Sequence, residues 1–119
     1  MRRPPDLPTL RAAVWTVLAL RRTRRALKRD RVTDVEVAPP PALPRSAGRG
    51  VRAVMRRTDP TCLERALVLQ AWGIAQGEAR DVVIGVNGTG DRFAAHAWLE
   101  GEPDGERSAY SELMRVPAS

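Results

Sequence analysis

The chain has 119 residues and a formal net charge of +6, and nearly all of its positive charge is arginine because Lys28 is the only lysine. This length predicts one small domain. A single cysteine excludes an internal disulfide framework and a multi-cysteine zinc site, and a free thiol favours the cytoplasm. The few aromatic residues do not alternate with the arginines, which disfavours nucleic-acid binding, and no apolar run reaches the ~20 residues that cross a bilayer.

The first segment predicts an N-terminal helical arm with Thr9 as its N-cap. Apolar residues recur at helical spacing after this cap, at Leu10, Ala13, Val14, Val17 and Leu18. The arginines that follow suit the negative end of the helix dipole and are interpreted as a solvated face. The proline-rich run at 39–44 predicts an extended connector. We therefore predict two units, an arm with its connector over residues 1–44 and a core over 45–119.

The second segment predicts a short helix followed by a longer one. Asp59 suits the N-cap of the longer helix and Pro60 suits its first position. This placement puts Cys62 within the first helical turn. The helix should end near Gln76, with Gly77 as its stop.

The third segment predicts a small antiparallel sheet. Residues 81–86 have the pattern of a buried strand, 87–91 of a tight turn and 93–100 of the return strand. A third strand is expected around residues 107–111. Alternation along the return strand separates His96 from the apolar residues on either side of it. The predicted fold class is α+β, with a cysteine-bearing helix packed on this sheet.

Cys62 and His96 are the only cysteine and the only histidine of the chain, and together they suit a thiolate nucleophile with its proton carrier. Backbone N–H groups and the helix dipole stabilise an anion at a helix start, which favours a thiolate there. The simpler interpretation of each residue alone is structural, because a free cysteine packs as a small hydrophobe. The presence of both on adjacent elements favours catalysis.

Four stretches carry a resemblance to a known family. They are TCLERALVLQ at 61–70, GIAQG at 73–77, VIGV at 83–86 and FAAHAWLE at 93–100. In this order they resemble the leader peptidase of lasso-peptide biosynthesis, a transglutaminase-like cysteine protease related to papain. The resemblance implies a papain/transglutaminase-like core that removes the leader of a ribosomally made precursor peptide.

By the same resemblance, Cys62 is the nucleophile and His96 the general base and acid. The implied partners are the precursor peptide, a separate leader-binding protein and the lasso cyclase, with no cofactor and no metal. No segment resembles a leader-binding domain, so the split arrangement is expected, with residues 9–31 as the hypothesised docking surface.

The family's third catalytic residue is an aspartate that orients the histidine. Its expected place here, residues 108–110, holds no acidic side chain. Asp104 is the candidate substitute and Glu106 the alternative, although Asp104 followed by glycine also suits a turn. A non-catalytic scaffold, a basic binding module and a transglutaminase-like acyltransferase therefore remain alternatives to the peptidase.

Overall fold

A computed structural model describes residues 6–89, 92–102 and 110–118. Over these residues three α-helices and two short 3-10 turns precede a three-stranded antiparallel sheet, which confirms the α+β class. The helices are α1 (Leu7–Arg29), α2 (Gly48–Thr58) and α3 (Cys62–Ala75), and the strands are β1 (Val82–Thr89), β2 (Arg92–Leu99) and β3 (Ser111–Val116). Within the described part of the chain, no helix has the length and apolarity needed to cross a membrane.

The start of α1 differs from the prediction. Asp6 is the N-cap, and its carboxylate accepts the backbone N–H of Thr9 at 2.9 Å. This hydrogen bond lowers the pKa of the Asp6 carboxyl. Pro8 lies in the first turn, where a helix does not need its N–H. The prediction of Thr9 as the cap was wrong because the side chain of Asp6 reaches the N–H of Thr9 itself.

The contact between α1 and α2 is closest at Gly50. A Cβ atom added to Gly50 would lie 2.2 Å from the carbonyl oxygen of Thr9 and 3.0 Å from the backbone nitrogen of Ala13. The two backbones can approach this closely only because Gly50 has no side chain. The residues that α1 buries are accordingly mostly small: Thr9, Ala12, Thr16, Ala19, Leu20 and Thr23.

Four large apolar residues of α1 lie on its opposite side. Leu7, Leu10, Val14 and Leu18 follow one another at helical spacing and are all strongly exposed. We call these four residues the outer stripe. Three of them belong to the apolar pattern seen in the sequence, but that pattern does not form the buried face of the helix. The close approach at Gly50 leaves room there for alanine and threonine and not for leucine.

The segment between α1 and α2 packs on the helices. The Trp15 indole N–H donates to the carbonyl of Ala38 at 3.2 Å, and Val35 and Pro40 are buried. α1, α2 and α3 also share one cluster of buried side chains. The division of the chain between residues 44 and 45 stays a prediction, although helices from both sides of it build this cluster.

A second cluster joins α3 to one face of the sheet. The strand order is β2-β1-β3, and α3 contributes Ala66 and Leu67 while β2 contributes Ala97 and Leu99. Because side chains alternate between the two faces of a strand, this arrangement directs His96 to the face away from α3. The packing of Ala97 on α3 therefore decides which face of the sheet His96 occupies.

The strand boundaries differ from the predicted ones. Residues 87–89 belong to β1 instead of a turn, and residues 90–91 lie outside the described part. β3 begins at Ser111, where the predicted third strand ended, and the predicted start at 107–109 also lies outside the described residues. Five of the six β3 residues are not buried, so their pattern did not indicate a strand in the sequence.

We expect Gly50→Ala to destabilise the fold by about 1–3 kcal/mol, because its Cβ would force the backbones of α1 and α2 apart. Chemical denaturation measures this loss. The matched control is Gly48→Ala, whose Cβ would meet the flexible guanidinium of Arg52 at 3.3 Å. The control should cost less than about 0.5 kcal/mol because alanine favours helix. Equal effects of the two substitutions would contradict the close helix contact.

Candidate active site

Cys62 is the first residue of α3, and a capping box surrounds it. The N-cap is Thr61, whose hydroxyl oxygen accepts the backbone N–H of Glu64 at 3.2 Å. The Glu64 carboxylate in turn accepts the backbone N–H of Thr61 at 3.0 Å. These two hydrogen bonds satisfy groups that a helix start leaves open and hold the first turn in place.

The predicted cap at Asp59 was wrong. Asp59 has a left-handed conformation with φ 47° and ends α2 instead of starting α3. Pro60 then extends the chain to Thr61. The Thr-x-x-Glu pattern from Thr61 to Glu64 was visible in the sequence and marks the true start of the helix.

Glu64 also connects the start of α3 to α1. The Arg24 guanidinium donates two hydrogen bonds to the Glu64 carboxylate, at 3.0 and 3.3 Å. Glu64 is only 5% exposed. Burial by itself raises the pKa of the Glu64 carboxyl, but the hydrogen bonds from Arg24 and Thr61 outweigh it and hold that pKa below its ordinary value. One charged side chain thus fixes both the helix start and its position against α1.

The side chain of Cys62 is half-buried and packs against the second cluster. It is a free thiol. Its place at the first position of a capped helix puts it beside the open backbone N–H groups of that turn, which favour negative charge on a nearby atom. Such a helix start can donate hydrogen bonds to a developing oxyanion.

His96 lies on β2 within a group of aromatic rings. Its ring centroid is 5.8 Å from that of Trp98, in a stacked arrangement, and 5.5 Å from that of Tyr110. Gly85 on β1 pairs with His96, and an added Cβ there would lie 2.8 Å from the Trp98 ring and 2.9 Å from the Cβ of Tyr110. The glycine of the Ile-Gly-Val strand therefore makes room for the two rings that flank the histidine.

Cys62 and His96 are on elements that pack together, but on different sides of β2. Cys62 packs on the cluster that contains Ala97, whereas the side chain of His96 points to the other face. β2 is an edge strand of the described sheet, so the two faces meet beside it. Contact between thiol and imidazole at hydrogen-bond range, which catalysis requires, stays a prediction.

The third catalytic residue stays a prediction. Asp104 and the alternative Glu106 lie outside the described residues. Tyr110, at the end of the range in which an acid was expected, is described and contacts the ring of His96. The sequence shows that Tyr110 carries no acidic group, but it gives no sign that its ring packs on His96. Among the described residues, no group of three or more His, Cys, Asp or Glu side chains is placed to hold a metal ion.

Comparison with protein families gives one assignment. The family model described as Transglutaminase-like superfamily matches residues 7–115 and so extends from α1 into β3. Neither the curated proteins nor the solved structures include a significant match to this chain.

We expect Glu64→Gln to lower the free energy of unfolding by about 1–3 kcal/mol at neutral pH, because the amide cannot form the ion pair with Arg24. The folded pKa of Glu64 lies below 4.5, so its ionised form contributes stability above that pH. That contribution is lost as pH falls from 4.5 through the lower folded pKa. The difference between the two proteins should therefore shrink in acid, as denaturation at several pH values measures.

The control for this prediction is Glu78→Gln, which breaks an exposed ion pair with Arg45. It should cost much less than Glu64→Gln, because water and salt screen exposed pairs. Equal losses for the two variants, or a Glu64→Gln effect that persists in strong acid, would argue against a stabilising ion pair at the buried Glu64 carboxylate.

We expect nuclear Overhauser contacts between the ring protons of His96 and Tyr110, whose centroids are 5.5 Å apart. The chain has one histidine and one tyrosine, so these signals are unambiguous. Tyr110→Ala should shift the His96 resonances because a ring current is lost. Trp72→Phe, in the separate pair with Trp15, is the control and should leave them unchanged. Absence of the contacts would show that Tyr110 does not pack on the histidine.

Proposed function

Because the chain belongs to the transglutaminase-like superfamily, whose members are commonly cysteine proteases or acyltransferases, we propose that it is a cysteine peptidase of lasso-peptide maturation. Its substrate is a ribosomally synthesised precursor peptide, from which it removes the leader. The family match supports the reaction class. The lasso-peptide role rests on the resemblance of the cysteine and histidine segments.

The observation that carries the proposal is Cys62 at the first position of the capped helix α3. Its Sγ attacks the carbonyl carbon of the scissile peptide bond while the thiol proton passes to His96. The open N–H groups of the helix start stabilise the oxyanion. The C–N bond then breaks, and His96 returns the proton to the amine of the released core peptide.

The second half of the reaction frees the leader. Water attacks the thioester carbon and gives a proton to His96, which returns it to Sγ as the C–S bond breaks. The leader leaves as a carboxylic acid. In this structure the imidazole projects from the face away from α3, so both steps require it to reach the thiol around the edge of β2.

The proposed partners are a leader-binding protein and the lasso cyclase. A protein that binds the leader and docks on this chain raises the local concentration of the substrate at Cys62, which increases apparent affinity without new contacts at the thiol. The cyclase then uses the freed amine of the core peptide.

A second candidate is a non-catalytic scaffold of the same complex. The placement of Cys62 and His96 on different sides of β2 favours this alternative. An acyltransferase would share the thioester intermediate and differ only in the nucleophile that resolves it.

We expect Cys62→Ala to abolish cleavage of the precursor, at a cost of at most ~2 kcal/mol in stability. His96→Gln should slow cleavage by about 10²-fold or more, because proton transfer is lost. Mass spectrometry of the precursor, alone and with the leader-binding protein, measures both, and that protein should accelerate the intact chain by 10²- to 10⁴-fold.

The control variant is Leu113→Ala, an exposed residue of β3 that should leave the rate unchanged. Full cleavage by Cys62→Ala would refute the peptidase. Assembly of the intact chain with the precursor and the leader-binding protein, without cleavage, would support the scaffold. Transfer of the leader to an added amine would indicate the acyltransferase.

A further inference from the structure

We propose that the exposed side of α1 is a docking surface for an acidic, amphipathic polypeptide segment of a partner protein. The outer stripe, formed by Leu7, Leu10, Val14 and Leu18, supplies the apolar half of this surface. The proposed function includes a partner protein that docks on this chain, and this inference specifies the chemistry of such a partner. It does not depend on the reaction at Cys62.

The outer stripe concentrates exposed apolar surface in one place. Its members are 69%, 48%, 60% and 43% exposed in chain order. Of the six large hydrophobic residues that are strongly exposed in the described part of the chain, these four lie side by side, and Ile74 and Leu113 are the others. Contiguous apolar patches of this kind mark interaction sites more often than scattered single residues do.

The stripe borders a shallow groove. Trp15 and Pro41 line it together with the outer stripe and Arg11, and its volume is about 420 Å³. The opposite side of α1 is already occupied by α2 and α3. The groove is therefore a surface that the described fold leaves open and that side chains of another molecule can enter.

The same side of α1 continues as a cationic surface. By helical spacing, Arg21, Arg25 and Lys28 follow Leu18 along this side, and all three are exposed. α1 contains no acidic residue, and the ion pair that it forms with other described residues is that of Arg24 with Glu64. This uncompensated positive charge is complementary to carboxylates of a partner.

The apolar and cationic halves of this surface follow each other along α1, and this order favours a polypeptide over a membrane as the binding partner. A helix that lies in a bilayer interface keeps one apolar side along its length, with cations on the flanks. Here the cations at Arg21 and Arg25 are in line with the outer stripe, so flat insertion would bury them. A segment with apolar residues over about 17 Å, followed by acidic residues over about 11 Å, matches both halves at once.

The experiment measures fluorescence anisotropy of a labelled helical peptide of about 24 residues, with leucines on one side of its first half and glutamates on the same side of its second half. The full chain should bind it, more weakly as salt rises. Leu10→Asp with Val14→Asp should weaken binding at least tenfold, and Arg21→Glu with Arg25→Glu should do the same.

Matched controls are Leu113→Asp and the pair Arg56→Glu with Arg57→Glu, exposed residues elsewhere that should change binding less than twofold. Circular dichroism confirms that each variant is folded, and all substituted residues are exposed, so loss of binding reports on the surface.

Three results would overturn the proposal. The first is binding that the α1 variants leave unchanged, or no binding at all. The second is binding to vesicles of phosphatidylcholine and phosphatidylglycerol, lost in the same variants, without binding to the peptide. The third is self-association in sedimentation that Val14→Asp abolishes, which would make a second copy the occupant. Cleavage by Cys62 is measured separately, so its failure would not affect this result.

Discussion

One buried carboxylate, that of Glu64, holds the start of α3 in place against α1. Glu64 closes the capping box around Cys62 and at the same time binds the guanidinium of Arg24 on α1. The N-terminal helix and the helix that carries the thiol are therefore joined by a charged contact. Because Glu64 is almost fully buried, any change that leaves it without a partner leaves a charge with no water to solvate it.

The second constraint is the distance between helix backbones. At Gly50 the backbones of α1 and α2 approach so closely that the contact admits only small side chains. Alanine and threonine fill it, and the four residues of the outer stripe are directed outward. The same helix thus has one side that builds the core and another that presents apolar and cationic residues to solvent. The family match over residues 7–115 includes this helix.

Side chains alternate between the two faces of β2, and this alternation separates the two candidate catalytic residues. Ala97 faces α3, and the next residue towards the N-terminus, His96, faces away with Trp98 and Tyr110 around it. Gly85 provides the space in which these rings pack. In this arrangement the rings of Trp98 and Tyr110 pack around the histidine. To reach the thiol, the imidazole must pass around the edge of β2. Peptidase and scaffold differ in whether that approach occurs.

Local patterns determined the α+β class, the position of Cys62 at a helix start and the strand that carries His96, because caps and alternation depend on neighbours in sequence. The Thr-x-x-Glu pattern also marks Thr61 as the cap in the sequence, although Asp59 was predicted. Three features were decided only by the tertiary structure: the buried side of α1, the partner of Glu64 and the face of β2 relative to the thiol. Each depends on how closely segments far apart in the chain approach one another, and hydrophobic periodicity contains no information about that distance.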